Sequence, residues 1–143
     1  MARRATHQNG FSLIGATAAT LAITAIVLVP RLFSITEFFI VRTEANLLVE
    51  QLKDAQRIAL RDDIDQRIRL TSDRGFVRER RAGEGWLFEQ AYTLPDGLEI
   101  SGPKDIEFFS RGAMGPVALY AITSLNGVRR EIISTKNRRI FVQ

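Results

Sequence analysis

The chain has 143 residues, 45% hydrophobic, 25% charged and 8% aromatic. That composition fits one compact domain with appendages and excludes collagen-like, coiled-coil and wholly disordered chains. Its formal charge of +4 (20 Lys and Arg against 16 Asp and Glu) is too mild to argue nucleic-acid binding by itself, and the absence of cysteine excludes a disulfide framework and thiolate chemistry.

Residues 1–10, MARRATHQNG, are short, basic and free of acids, and they hold the one histidine, His7. From Phe11 to Pro30 no residue carries a formal charge. As a helix rising about 1.5 Å per residue, that run spans roughly 30 Å, the thickness of a bilayer's hydrocarbon core. Arg3 and Arg4 are expected to hold the N-terminal side in the cytoplasm and leave the rest outside. Three readings compete for the segment. A secretory signal peptide has an apolar stretch of about 7–15 residues followed by a small-residue cleavage site. Ala16-Thr17-Ala18 imitates such a site, but it lies in the first half and the apolar run continues past it. A plain membrane anchor accounts for the length alone. The third reading also accounts for the junction.

That junction is Asn9-Gly10-Phe11-Ser12-Leu13-Ile14. It resembles the prepilin peptidase site of type IV pilins and type II secretion pseudopilins, in which a basic leader ends in Gly and a Phe opens an apolar helix. The family pattern runs Gly-Phe-(Ser/Thr)-Leu-Ile-Glu. Gly10, Phe11, Ser12, Leu13 and Ile14 match it, with the basic leader and the apolar run in the right places. The resemblance implies cleavage between Gly10 and Phe11 and methylation of the new amino terminus of Phe11. It implies a leader at 1–10, a transmembrane helix at 11–33, an amphipathic continuation at 34–63 and a β-rich head at 64–143. The implied partners are other pilins or pseudopilins through the N-terminal helix, prepilin peptidase, an inner-membrane assembly platform and the lipid bilayer. The implied location is a single-pass anchor in the bacterial cytoplasmic membrane, N-terminus inside and head outside, from which subunits enter a periplasmic or surface filament.

Gly15 departs from the pattern, standing where the family usually has Glu. In the family that carboxylate pairs with a neighbour's amino terminus, and an unpaired charge in the membrane is strongly disfavoured. Two readings stay open. The subunit sits where no such partner exists, such as a filament tip; or Gly15 loosens the helix or lets helices approach closely. Ala16, Ala18, Ala19, Ala22 and Ala25 also suit close packing of an assembly helix.

Pro30 is expected to end or kink the membrane helix, and the family commonly has a proline near this depth. Beyond it, Phe38, Val41, Ala45, Leu48, Leu52, Ala55 and Ala59 recur at three- and four-residue steps, which predicts one apolar stripe laid against the following domain. Glu50–Lys53 and Asp54–Arg57 are spaced for helix-surface ion pairs.

After about residue 65 the period shortens to strand-like runs separated by turns. The expected strands are Gln66–Thr71, Phe76–Arg80, Trp86–Tyr92, Leu98–Ile100, Asp105–Phe109, Val117–Thr123, Val128–Ser134 and Ile140–Val142. Leu94-Pro95-Asp96-Gly97 is a turn signal and Asn126-Gly127 a hairpin signal. One long helix followed by short strands, with no second long helix, predicts an α+β fold: a helix packed on an antiparallel sheet. The order is similar to the H-type minor pseudopilins of type II secretion and their competence-pilus relatives. Leu94, Pro95 and Gly97, then Phe109 and Gly112, then the basic last strand Arg139-Ile140-Phe141-Val142 carry that similarity.

No catalytic constellation is present. Without the leader the chain has neither His nor Cys and a charge of +2, so triads and His-rich zinc sites are excluded. Asp62, Asp63 and Asp65 lack the spacing, Gly and distal Glu of a calcium loop and read as a solvated connection. Arg81-Ala82-Gly83-Glu84-Gly85 lacks the Lys-Ser/Thr of a phosphate loop. No cofactor and no metal is expected. Two basic groupings remain: Arg74, Arg78, Arg80 and Arg81, and Arg129, Arg130, Lys136, Arg138 and Arg139. On one shared face they would attract DNA phosphates, as a competence filament needs; separately they read as charged strand edges that blunt aggregation. The sequence therefore reads as a non-enzymatic minor pseudopilin of a type II secretion or type IV pilus-like filament. A DNA-binding minor pilin and an anchored or secreted β-domain protein unrelated to pili are the alternatives.

Overall fold

The computed structural model describes residues 9–111, 118–134 and 139–143, with side chains described from residue 35 onward. By packing, the chain divides into Met1–Thr36 and Glu37–Gln143. The helix α1 (Asn9–Asp62) begins in the first unit and ends in the second. Its assignment runs through Pro30, so that residue does not end the helix. A proline removes one backbone donor, and the hydrogen bonds of flanking turns hold the helix on either side. The end comes at Asp62, where Asp63 turns to φ 54°, a left-handed cap that Asp tolerates.

In the second unit, α1 is followed by β1 (Gln66–Ser72), β2 (Gly75–Ala82), β3 (Gly85–Thr93), β4 (Leu98–Ser101), β5 (Asp105–Phe108), β6 (Ala118–Ser124), β7 (Arg129–Ser134) and β8 (Ile140–Val142). All eight expected strands form, with ends displaced by one or two residues where ladders run into the turns. The single sheet expected from the sequence is in fact two four-stranded sheets, ordered β3-β2-β1-β5 and β4-β6-β7-β8. Every pairing is antiparallel. The reason is non-local: β5 returns to β1, pairing Gln66 with Phe108, while β4 skips β5 to pair Leu98 with Ser124.

Both sheets contribute to one core with α1. Val41, Ala45, Leu48, Leu52, Ala55 and Ala59 of the expected stripe are all fully buried, and Val49 joins them. Phe38, expected in the stripe, is only half-buried; the Arg130 guanidinium sits 4.6 Å from its ring centroid. Opposite the helix stand Ile68, Phe76, Ile106 and Phe108 from the first sheet, and Ile100, Tyr120, Ile122 and Ile132 from the second. Alanines at three stripe positions keep the helix surface low, so the large side chains of the sheets can fill the space.

Two glycines are fixed by geometry. Gly97 (φ 84°) is the third residue of the turn closed by the Leu98 N–H donating to the Pro95 carbonyl at 3.3 Å. At Gly102 (φ 155°) a Cβ would come within 2.4 Å of the Tyr120 ring and 3.0 Å of the Leu119 carbonyl. Tyr120 is wholly buried, and its hydroxyl has no partner among the described residues. Burial, with the nearby Asp105 carboxylate, pushes its pKa up, so the ring enters the core as a neutral phenol.

Candidate functional site

The helix α1 presents a second face. With one arc committed to the core, Phe39, Ile40 and Leu47 lie on the outside, 57%, 40% and 41% exposed. Leu47 follows Phe39 and Ile40 by two turns, so the three form one strip. Charges flank them. Glu44 is half-buried there, and burial raises its carboxyl pKa above the ordinary value. Both expected surface pairs form farther along: Lys53 reaches Glu50 at 3.5 Å, and Arg57 pairs with Asp54. The helix's outer face thus carries an apolar strip with a charged border.

The first sheet carries an ionic cluster. Glu79, 6% exposed, accepts from Arg69 at 2.8 Å and from Arg67 at 2.8 Å. Those bonds, Arg69 first, hold its carboxyl below the usual range against the opposing effect of burial. The Arg67 guanidinium also lies 4.4 Å from the centroid of Trp86, with that of Arg81 at 5.4 Å on the same ring. Beside it Leu87 and Phe88 are 46% and 58% exposed on β3, which among the described residues is an edge strand paired to β2. Of these side chains only Arg81 was expected at a functional surface, as part of a basic grouping. The signal was there: Trp86-Leu87-Phe88 breaks the polar/apolar alternation and makes both sides of one strand apolar.

No family model matches the chain, and no curated protein does. Solved structures do match. The minor pseudopilin EpsH of the type 2 secretion system of Vibrio cholerae superposes with a TM-score of 0.64 at 16% identity, over 72% of this chain and 95% of that one. The type IV minor pilin FimU of Pseudomonas aeruginosa superposes with a TM-score of 0.64 at 16% identity, over 76% and 92%. The fold is pilin-like. The match of one N-terminal helix on antiparallel sheets takes in more than nine-tenths of each solved chain.

Within this pilin-like fold, Gly10, Phe11, Ser12, Leu13, Ile14, Gly15 and Pro30 all belong to the α1 backbone; their side chains, and residues 1–8, lie outside the described residues. Among the described residues no helix is long and apolar enough to cross a membrane, and the side chains of the expected span at 11–33 are not among those described. Of the first basic grouping, Arg78, Arg80 and Arg81 stand on β2 of the first sheet; of the second grouping, Arg129 and Arg130 stand on β7 of the second sheet. In the first, Arg78 pairs with Glu89 at 3.2 Å, Arg80 with Glu89 at 3.7 Å and Arg74 with Asp96. In the second, Arg129 pairs with Glu131 at 2.9 Å, and Arg130 stacks on Phe38. Arg139 is exposed and engaged by a neighbour, while Lys136 and Arg138 lie outside the described residues. The aspartates do structural work. Asp62 pairs with Arg61 at 2.6 Å, and the Asp65 carboxylate accepts the Ser110 N–H at 2.7 Å.

Proposed function

We propose that this chain is a non-enzymatic minor subunit of a type II secretion or type IV pilus-like filament. The observation that carries the reading is the pilin-like fold, matched over more than nine-tenths of EpsH and FimU. Two features support it further. The Gly10-Phe11 junction stands between a basic leader and a twenty-residue uncharged run. The exposed strip Phe39, Ile40 and Leu47 gives α1 an apolar face that its own head leaves uncovered. In this reading prepilin peptidase cuts after Gly10 and methylates Phe11, and the helix waits in the cytoplasmic membrane. It then enters a bundle of like helices at the assembly platform. Helices leaving lipid gain little from the hydrophobic effect, so close packing of small residues drives the first part of that bundle. Outside the lipid the exposed strip adds burial of apolar surface.

The native absence of cysteine allows a clean test. Single cysteines at Phe39 and Leu47, with one at exposed Thr71 as control, are placed in the full chain in its own host and treated with a short maleimide–diazirine cross-linker, whose photolysed end inserts into any adjacent surface. The expected result is cross-linking from the helix positions to another pilin-like subunit, identified by mass spectrometry, with little from Thr71. Equal labelling at all three positions and no cross-linked subunit would remove the filament reading.

A further inference from the structure

A groove of about 550 Å³ lies between α1 and β8. It involves none of residues 1–36 and is independent of the filament reading. Its apolar lining is Val49, Ile140, Phe141 and Val142; its cations are Arg42, Lys53 and Arg130, and Glu50 is its one acidic side chain. Lys53 is answered by Glu50 at 3.5 Å. Among the described residues no ion pair engages Arg42 or Arg130. The contact of Arg130 with Phe38 packs the guanidinium without neutralising it. The groove thus carries two uncompensated positive charges beside an apolar floor.

The wall made by β8 is a sheet edge. Gln143 and Glu131 exchange both backbone hydrogen bonds, at 2.8 and 3.5 Å. In an antiparallel ladder such bonded pairs alternate, so Phe141, opposite Ile133, also turns its N–H and C=O toward β7. Ile140 and Val142 therefore aim theirs away from β7, at the open edge, with no backbone partner among the described residues. Along α1 the groove runs from Arg42 to Lys53, roughly 16 Å at 1.5 Å per residue. That is the length of about five extended residues.

We propose that this groove receives an extended, acidic segment of a partner protein, which adds to the sheet along β8 and places carboxylates on Arg42 and Arg130. Backbone bonds to Ile140 and Val142 supply a generic attraction, the apolar floor accepts alternate β-branched side chains, and the two arginines select for acids. A lone anion would use the charges but leave the strand edge and the floor unused.

The test uses the full chain in a non-ionic detergent and a displayed library of random octapeptides. Selected peptides should carry two or more acids alternating with β-branched residues. They should bind Arg42→Glu at least tenfold more weakly; Arg42 is exposed, so that variant folds. N-methylation of one alternate set of peptide amides should abolish binding, and of the other set leave it. That last result needs no variant. Failure to enrich acidic peptides, or indifference to N-methylation in both sets, would overturn the proposal. So would displacement of the selected peptides by a ten-nucleotide thymidine oligomer at equal concentration, since the groove would then read anionic charge instead of a strand.

Discussion

The two faces of α1 are built from similar residues and serve opposite ends. Leu48 and Leu52 are fully buried on one face; Leu47, the immediate neighbour of Leu48, is 41% exposed on the other. The inner face is explained by folding alone, because eight short strands in two sheets need an apolar surface to close on. The outer face is not. Single exposed leucines are ordinary, but Phe39, Ile40 and Leu47 form one strip that the head leaves uncovered. One helix thus carries the head's core on one side and, in our reading, the filament's contact on the other.

That contrast can be broken by mutation. Leu52→Ala on the inner face should cost about 2–5 kcal/mol, because two sheets pack around it and a cavity would remain. Thermal unfolding followed by circular dichroism would record it. Ala55→Leu should cost about 1–3 kcal/mol by the opposite route, forcing extra volume between α1 and the sheets; a gain in melting temperature there would show the interface to be loosely packed.

Glu44 sharpens the contrast through pH. Burial raises its pKa in the folded chain, so folding favours the protonated form. Its contribution is favourable below the ordinary value of 4.5 and is lost as pH rises through the elevated one, leaving a penalty at neutral pH. Glu44→Gln should therefore raise the melting temperature at pH 7, by less than either core change lowers it. The gap should close as pH falls below 4.5. The smallest effect on stability belongs to the outer face: Phe39→Ser and Leu47→Ser should each shift it by no more than about 0.5 kcal/mol. Both should nonetheless reduce recovery of the subunit in sheared filaments.

Much of this was legible in the sequence. The 3.6-residue period marked Val41 through Ala59, and local alternation with turn residues marked every strand. Sheet membership was hidden, since nothing within β5 says that it pairs back to β1 across forty residues of chain. The groove was hidden for the same reason. Arg42 and Arg130 are ordinary charged residues in their own segments, and only the approach of β8 to α1 makes them neighbours. The proposed processing junction is the reverse case: five consecutive residues carry the resemblance, and the head adds nothing to its legibility.

The most direct test of the central claim is the N-terminus of the full chain expressed with and without a prepilin peptidase, read by N-terminal sequencing and intact mass. The account predicts a start at Phe11 only when the peptidase is present, with one added methyl group. Cleavage after an alanine within the apolar run, or an uncut Met1 with the peptidase present, would contradict it and leave the pilin-like head attached to something other than a filament subunit.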